Sequence, residues 1–441
     1  MRGQLARLVY IVVGLLLVPL LMVYLWHRGR RAPAYRDHWL ERFWGPTQSD
    51  LAHPRDSGPV LWVHAVSVGE TQAVVPLLRA WLQANGPSAR LVMTHTTPTG
   101  RQTGAQLCAD WLRGPNPRMV QVYLPYDLPW ANRRFLRWSG ASQGLLMETE
   151  LWPNLLAQAA DHGVSVVLIN ARLSARSARQ MQRLAWLARP ALARLAMVCA
   201  QTPADAQRFV AVGYQGPVRV TGSLKFDLSI DAGLATLGRD WRSGWTFERV
   251  WLMASSREDE ERPLFEAWAR AKAAGELAPK TLLIVVPRHP ERFESAVLMA
   301  QASGLVVSRR SEQVALAPET EVWVGDSLGE MAAYVAASDL ALMGGSIAPL
   351  GGQNPIEICA QGRPVFFGRH MFNFHQIARM LQEVRAGFLV VDHQDFIRQA
   401  TRLSQDPSGQ QKAAQEAQAF VLAHRGATER TLAALLEAPG Y

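Results

Sequence analysis

Val60-Leu61-Trp62-Val63-His64-Ala65-Val66-Ser67-Val68-Gly69-Glu70-Thr71 decides the fold class. Val60–Ala65 is a short, apolar, β-branched run, the composition of a strand. A glycine turn follows. From Thr71 to Ala84, Val74, Leu77, Leu78 and Leu82 recur on one face of a helix. The same phrase repeats outward along the chain. Strands are predicted at Leu91–His95, Val120–Leu124, Gly144–Glu148, Ser165–Asn170, Met197–Ala200 and Val218–Thr221, each followed by a longer amphipathic stretch. A second series begins at Val250: Val250–Ala254, Thr281–Pro287, Gly304–Ser308, Glu321–Val324, Asp339–Met343, Pro364–Phe367 and Gly387–Val391. Strand–helix alternation of this kind means parallel sheets covered by helices on both faces. The two series divide around Asp227–Trp245, which predicts an α/β chain with two Rossmann-like domains facing a cleft. Ligands then belong at the carboxyl ends of the strands. The assigned segments are 1–30, 31–228 for the first domain, 229–246 as a linker, and 247–441 for the second domain.

Composition narrows the class. The chain has 441 residues, 49% of them hydrophobic, with ordinary glycine and proline content, which excludes a disordered or collagen-like polypeptide. Cys108, Cys199 and Cys359 form neither a CxxC nor a zinc spacing, so the bulk reads as a reduced, cytosolic-type protein. Net charge is +9, and residues 1–45 alone hold +5 of it. With no basic–aromatic RNA-binding motif, a general nucleic-acid surface is not expected.

The amino terminus reads as a membrane element. Leu8 to Trp26 is uncharged and almost wholly apolar, long enough to cross about 30 Å of hydrocarbon. Tyr10, Tyr24 and Trp26 stand near its ends, where aromatic rings favour headgroups. Arg28-Gly29-Arg30-Arg31 follows in place of a cleavage site, which argues against a signal peptide. The denser positive flank comes after the segment and places the bulk in the cytoplasm. Residues 1–30 are therefore expected to be a single anchor. Pro19 leaves both a spanning and a monotopic form open.

Chemistry-bearing residues cluster just after the strands. Glu70 follows Gly69 where a helix begins, a place where the dipole favours a carboxylate; a purely capping role stands beside the functional one. Glu148 and Glu150, two residues apart in Met147-Glu148-Thr149-Glu150-Leu151-Trp152-Pro153, share a face if that segment is extended. Lys225, in Thr221-Gly222-Ser223-Leu224-Lys225-Phe226-Asp227, suits a phosphate or carboxylate. In the second series, Pro287-Arg288-His289-Pro290-Glu291-Arg292 offers guanidiniums on a proline-stiffened loop. Gly325-Asp326-Ser327-Leu328-Gly329-Glu330 closes a further strand. Gly344-Gly345-Ser346 and then Gly351-Gly352-Gln353-Asn354-Pro355-Ile356-Glu357 make a glycine-rich, anion-binding loop that runs into a helix, with Glu357 placed for ribose hydroxyls. Neither G-x-G-x-x-G nor a P-loop occurs, which disfavours a dinucleotide oxidoreductase and an ATPase. No His/Asp/Glu group has metal-ligand spacing, so metal-independent chemistry without a cofactor is expected.

HAVSVGET, YLPYDLP, METELWPN, NARLSARS, TGSLKFD, VPRHPERF and GGQNPIE, in this order, resemble the membrane-anchored 3-deoxy-D-manno-octulosonic acid (Kdo) transferases of lipopolysaccharide synthesis. The resemblance implies a GT-B fold at the bacterial inner membrane, with both catalytic domains on the cytoplasmic side. It makes 31–228 the acceptor domain and 247–441 the donor domain. It also implies CMP-Kdo as donor and the lipid A precursor as acceptor. Glu70 matches the family's general base, and Glu148 and Lys225 match positions that support the transition state. CMP contacts fall on Pro287, Arg288, Leu328, Gly329, Glu330, Asn354, Pro355, Ile356 and Glu357. The chain departs from the family pattern at Arg257, at Gln353 where a His is usual, and at Arg369 where a Pro is usual. Two alternatives remain: a GT-B transferase using a UDP-sugar donor and a lipid-linked acceptor, and a membrane-tethered nucleotide-binding scaffold without turnover.

Overall fold

Alternating side chains along buried strands build two cores on one sheet. In a computed structural model, which describes residues 2–46, 58–113, 116–228, 230–257 and 259–437, Leu61 and Val63 of β1 (Val60–His64) face one layer and Trp62 faces the other. The first layer holds Leu91 and Met93 of β2 (Arg90–His95) against Leu77, Leu78 and Trp81 of the helix Val68–Ala84. The second packs Trp62 on Phe135 of the helix Pro129–Ser139, ring centroids 5.3 Å apart. Gly144 makes room for that indole, because a Cβ there would lie 2.4 Å from it. With both faces covered, strands read as continuous apolar runs, which is why the sequence announced them clearly.

β3 (Met119–Tyr123), β4 (Gln143–Met147), β5 (Ser165–Ala171), β6 (Leu195–Ala200) and β7 (Val218–Val220) complete a parallel sheet ordered β3-β2-β1-β4-β5-β6-β7. The chain reverses direction of growth between β1 and β4, so loops leaving those two strands diverge and open a crevice. The second sheet contains β8 (Arg249–Ser256), β9 (Thr281–Pro287), β10 (Val307–Arg309), β11 (Val322–Val324), β12 (Leu340–Met343), β13 (Val365–Phe367) and β14 (Gly387–Leu389). Its order is β10-β11-β9-β8-β12-β13-β14, all parallel, with the reversal between β8 and β12. Its core centres on Trp251, set edge-on to Trp268 and Phe396. The α/β class with two Rossmann-like sheets is thus observed.

Three boundaries differ from the sequence reading. Predicted strand 304–308 begins instead at Val307, because Gly304 is left-handed (φ 76°) and closes the preceding helix. Residues 229–246, read as a linker, contain the helix Ala232–Ser243, N-capped by Asp231. It lies so close to the helix Met331–Ala337 that a Cβ on Gly238 would meet the Ala333 carbonyl at 2.0 Å. Trp241 joins Trp323 and Tyr334 there. The carboxyl terminus also changes hands. The chain divides into Met1–Leu228 with His424–Tyr441, and Ser229–Ala423. Asp227 accepts from the backbone N–H groups of Gly426 (2.8 Å) and Thr428, capping the helix Ala427–Glu437, whose Ala434 and Leu435 enter the first unit's core. Phe226 stacks on His424 (4.8 Å), and Arg430 donates to the Thr221 carbonyl.

One helix, Arg2–Arg31, carries a stretch (Leu5–Arg30) long and apolar enough to cross a membrane.

Candidate active site

Both crevices expected from the sheet orders carry the residues singled out in the sequence. In the first unit the loop after β1 is fixed before Glu70 is placed. Thr97 donates to the Val66 carbonyl (2.7 Å), and His95 Nδ1 donates to the Ala65 carbonyl (3.0 Å). That fixes the His95 tautomer, so its Nε2 accepts from the Gln121 amide at 3.0 Å. Burial holds His95 neutral, its pKa down to about 4. Gly104 must lack a side chain, since a Cβ would fall 2.1 Å from the Gln121 amide.

On this platform Ser67 N-caps the helix and accepts from the Glu70 N–H. Glu70 reaches back: one carboxylate oxygen accepts from the Val66 N–H (2.9 Å) and the other from the Ser67 hydroxyl (3.0 Å). Ser67 and Glu70 cap each other as in a capping box, except that the carboxylate takes the N–H of the residue before the N-cap. The capping role and the functional placement therefore coincide in one side chain. Burial, reinforced by the nearby charge of Glu148, pushes the Glu70 pKa up to about 7 despite those two hydrogen bonds. A carboxylate tuned to neutrality can exchange a proton there.

Glu148 leaves β4 in a left-handed conformation (φ 57°) and pairs with Lys225 at 2.9 Å. The sequence reading had Glu148 and Glu150 share the face of an extended segment. The turn overrides that pleat, and Glu150 instead accepts from Trp152 Nε1 at 2.7 Å, its pKa raised by burial. Asn170, left-handed at the end of β5, accepts from the Leu224 N–H (3.1 Å) and so sets the short turn that presents Lys225. Glu70, Glu148 and Lys225 thus gather at the β1/β4 reversal. His64 is structural: fully buried, held neutral with its pKa down to about 3, and set edge-on to Trp152.

The second unit uses its carboxylate differently. Glu260, wholly buried, accepts from the backbone N–H groups of Gly345 (2.6 Å), Ala348 (3.3 Å) and Arg257 (3.1 Å). The glycine loop after β12 was expected to offer its amides to an external anion. Among the described residues, those of Gly345 and Ala348 go to the chain's own Glu260, and that of Gly352 goes to the Gly345 carbonyl (2.7 Å). Gly344 permits the close approach: a Cβ there would sit 1.9 Å from the Ser255 carbonyl. Glu258, from the same acidic cluster, lies outside the described residues.

What remains outward is cationic. Arg288 leaves β9 with its N–H on the Ser256 carbonyl (3.0 Å). Crowding of its guanidinium, with Arg257 beside it, lowers its pKa, and Glu357 pulls the other way. Arg257, Arg288 and Glu357 form one group, in which burial raises the Glu357 pKa and Arg288 restrains it. Asn354 accepts from the Ile356 N–H (3.1 Å) in the turn that leads into the helix Ile356–Ala360, while Pro355 and Ile356 are buried. Pro287 is the last residue of β9, also buried. The backbone at Leu328 and Gly329 is open, with Leu328 exposed and Gly329 left-handed. Glu330, however, is held by Arg310 through two contacts of 3.1 Å and by Ser327 at 2.6 Å. Arg257 and Glu260 are the residues that sequence reasoning missed. Arg257 entered the sequence reading only as a departure from the family pattern and Glu260 not at all; the signal was their position directly after β8.

Comparison with known proteins finds relatives over nearly the whole chain. The family described as 3-Deoxy-D-manno-octulosonic-acid transferase (kdotransferase) matches residues 37–228. A 3-deoxy-D-manno-octulosonic acid transferase of Bordetella pertussis is 42% identical over 95% of this chain and 96% of its own length. Its counterpart in Haemophilus influenzae is 31% identical over 97% of each. Among solved structures, UDP-GlcNAc 2-epimerase from Neisseria meningitidis shares the fold at 13% identity, with a TM-score of 0.55 over 86% of this chain and all of that one.

Proposed function

Because the chain belongs to the 3-deoxy-D-manno-octulosonic acid (Kdo) transferase family, we propose that it moves Kdo from CMP-Kdo to the lipid A precursor, with inversion and with Glu70 as general base. One observation carries the mechanism: a carboxylate with a pKa near 7, rigidly seated at the β1/β4 reversal beside the Glu148–Lys225 pair. The acceptor hydroxyl attacks the anomeric carbon of Kdo as the bond from that carbon to the CMP phosphate oxygen breaks. The hydroxyl proton passes to Glu70, and the electron pair of the broken bond leaves with the phosphate. Fixed hydrogen bonds to Val66 and Ser67 spare Glu70 reorganisation at that moment. Lys225, steadied by Glu148, supplies positive charge near the reacting groups.

Arg288 and Arg257 are the groups suited to the cytidylate phosphate, since planar guanidiniums bind such oxygens in pairs. Glu357 accepts ribose hydroxyls, and the open backbone at 328–329 contacts the nucleotide. The internal use of Gly345 and Ala348 amides by Glu260 moves the phosphate-binding role from the glycine loop onto the arginines. The lipid-linked acceptor accounts for the apolar amino-terminal helix at the cytoplasmic face of the inner membrane. Incubating the purified full chain with CMP-Kdo and lipid A precursor, then reading product mass, tests the assignment. An unchanged acceptor mass, with transfer from a UDP-sugar instead, overturns it.

A further inference from the structure

Asp127 of Tyr123-Leu124-Pro125-Tyr126-Asp127 and Asn154 of Trp152-Pro153-Asn154 take no part in the proposed chemistry, yet both are fully engaged. Asp127 accepts from the backbone N–H groups of Asn154 (2.9 Å) and Leu155 (2.8 Å) and from the Asn132 amide (2.7 Å). Asn154 is buried and donates to the Asp127 carbonyl (2.7 Å). Their remaining capacity goes to the amino-terminal helix: Arg7 Nε donates to Asn154 Oδ1 at 2.9 Å, and the Tyr10 hydroxyl hydrogen-bonds Asp127.

These contacts hold the far end of that helix. At 1.5 Å per residue, Arg7 lies about 27 Å along the axis from Leu25, nearly the depth of the hydrocarbon. Leu25 is also buried, and the helix packs on Pro33–Tyr35 at one end and on Ala185–Leu192 and Pro153–Asp161. A helix crossing the bilayer carries its first residues to the opposite surface, away from the body. This one keeps both ends on the same unit. Its less exposed positions Arg7, Ile11, Gly14, Val18, Leu21 and Leu25 recur every three or four residues, with Tyr10 beside them. The opposite side exposes Val9, Val12, Val13, Leu16, Leu20 and Val23. Only 6% of the most apolar stretch is buried, which is not the environment of a soluble core helix. Beside it, residues 172–204 contain six arginines and no acidic residue, with Arg176, Arg179, Arg183 and Trp186 exposed.

We infer that the amino-terminal helix lies in the plane of one acidic leaflet, clamped along the first unit by Asp127 and Asn154. Its outer face sits in the acyl region, and the neighbouring arginines meet anionic headgroups. The inference does not depend on the transferase reading.

The test uses the full chain in phosphatidylglycerol vesicles. A bimane-labelled cysteine is placed in turn at Val9, Leu16 and Val23, three exposed positions seven residues apart on one face; the native cysteines are buried. Quenching by lipids with nitroxides at graded depths is expected to put all three probes at one depth. A Leu16 probe about 10 Å deeper than the other two, as a spanning helix requires, overturns the inference, as does no quenching at any position. The double variant Arg7→Ala, Tyr10→Phe should shift the Val9 probe alone; three unchanged depths remove the clamp. Binding should be stronger to phosphatidylglycerol than to phosphatidylcholine vesicles, by about fivefold for each engaged arginine, and the gap should shrink with salt. Equal binding removes the headgroup contact.

Discussion

The two strand reversals use the same element, a glutamate close behind the first strand of a Rossmann sheet, to opposite ends. At β1/β4, Glu70 caps its own helix and stays near the ionisation midpoint at neutral pH. At β8/β12, Glu260 is sunk completely and satisfies backbone N–H groups of two loops. The first crevice is left with acidic groups and one lysine, the second with paired guanidiniums. Burial pushes the pKa of both carboxyls up, and at Glu70 the charge of Glu148 adds to it. What differs is the use of the oxygens: Glu70 bonds only its own helix start, whereas Glu260 ties two loops together.

The sharpest way to break this contrast is at Glu70. Glu70→Ala should lower kcat about 10²–10⁴-fold while CMP affinity, measured by calorimetry, stays at the parent value. Near-normal turnover would end the general-base role. At the other reversal, Glu260→Ala strands buried amides and should cost about 3 kcal/mol of stability, seen as a lower denaturant midpoint and faster hydrogen exchange around Gly345. Arg288→Ala should weaken CMP binding roughly ten- to a hundredfold while leaving the pH dependence of turnover unchanged.

Two finer tests use ionisation. Activity should rise with pH through about 7, as Glu70 becomes the base. Glu148→Gln should move that limb downward by removing the neighbouring charge, yet not to the ordinary carboxylate range, because burial remains the larger cause. The stability effect has the opposite sense. A raised pKa means the folded state binds the extra proton, so stability is greatest below the ordinary carboxylate range and declines as pH rises toward 7. Glu70→Gln escapes this decline, so its melting temperature should gain on the parent between pH 5 and pH 8. A constant difference across that window would show that Glu70 is not perturbed.

Much of this was legible in the sequence, for definite reasons. Doubly buried strands leave unbroken apolar runs, and the first crevice's glutamates and lysine fall at strand ends, so Glu70, Glu148 and Lys225 could be named before any coordinates. Tertiary partnership was not legible. Glu260 looks like any member of a charged run until Gly345 is brought to it from 85 residues away. The turn at Glu148 is set by its left-handed backbone, which the strand pattern of Gly144–Glu148 conceals. The helix Ala232–Ser243 was read as a linker because its buried stripe rests on small residues, Ala235 and Gly238, in place of large apolar ones.

The capping of Ala427–Glu437 by Asp227 has a consequence for biosynthesis. The segment that completes the first unit's core follows Ser229–Ala423 in the chain, so the whole contiguous second unit leaves the ribosome before it. The nascent first unit must therefore wait, with the surface around Leu77 and Leu224 uncovered, until the helix Ala427–Glu437 has been made. A nonsense codon after residue 423 would leave the second unit whole and the first permanently unfinished.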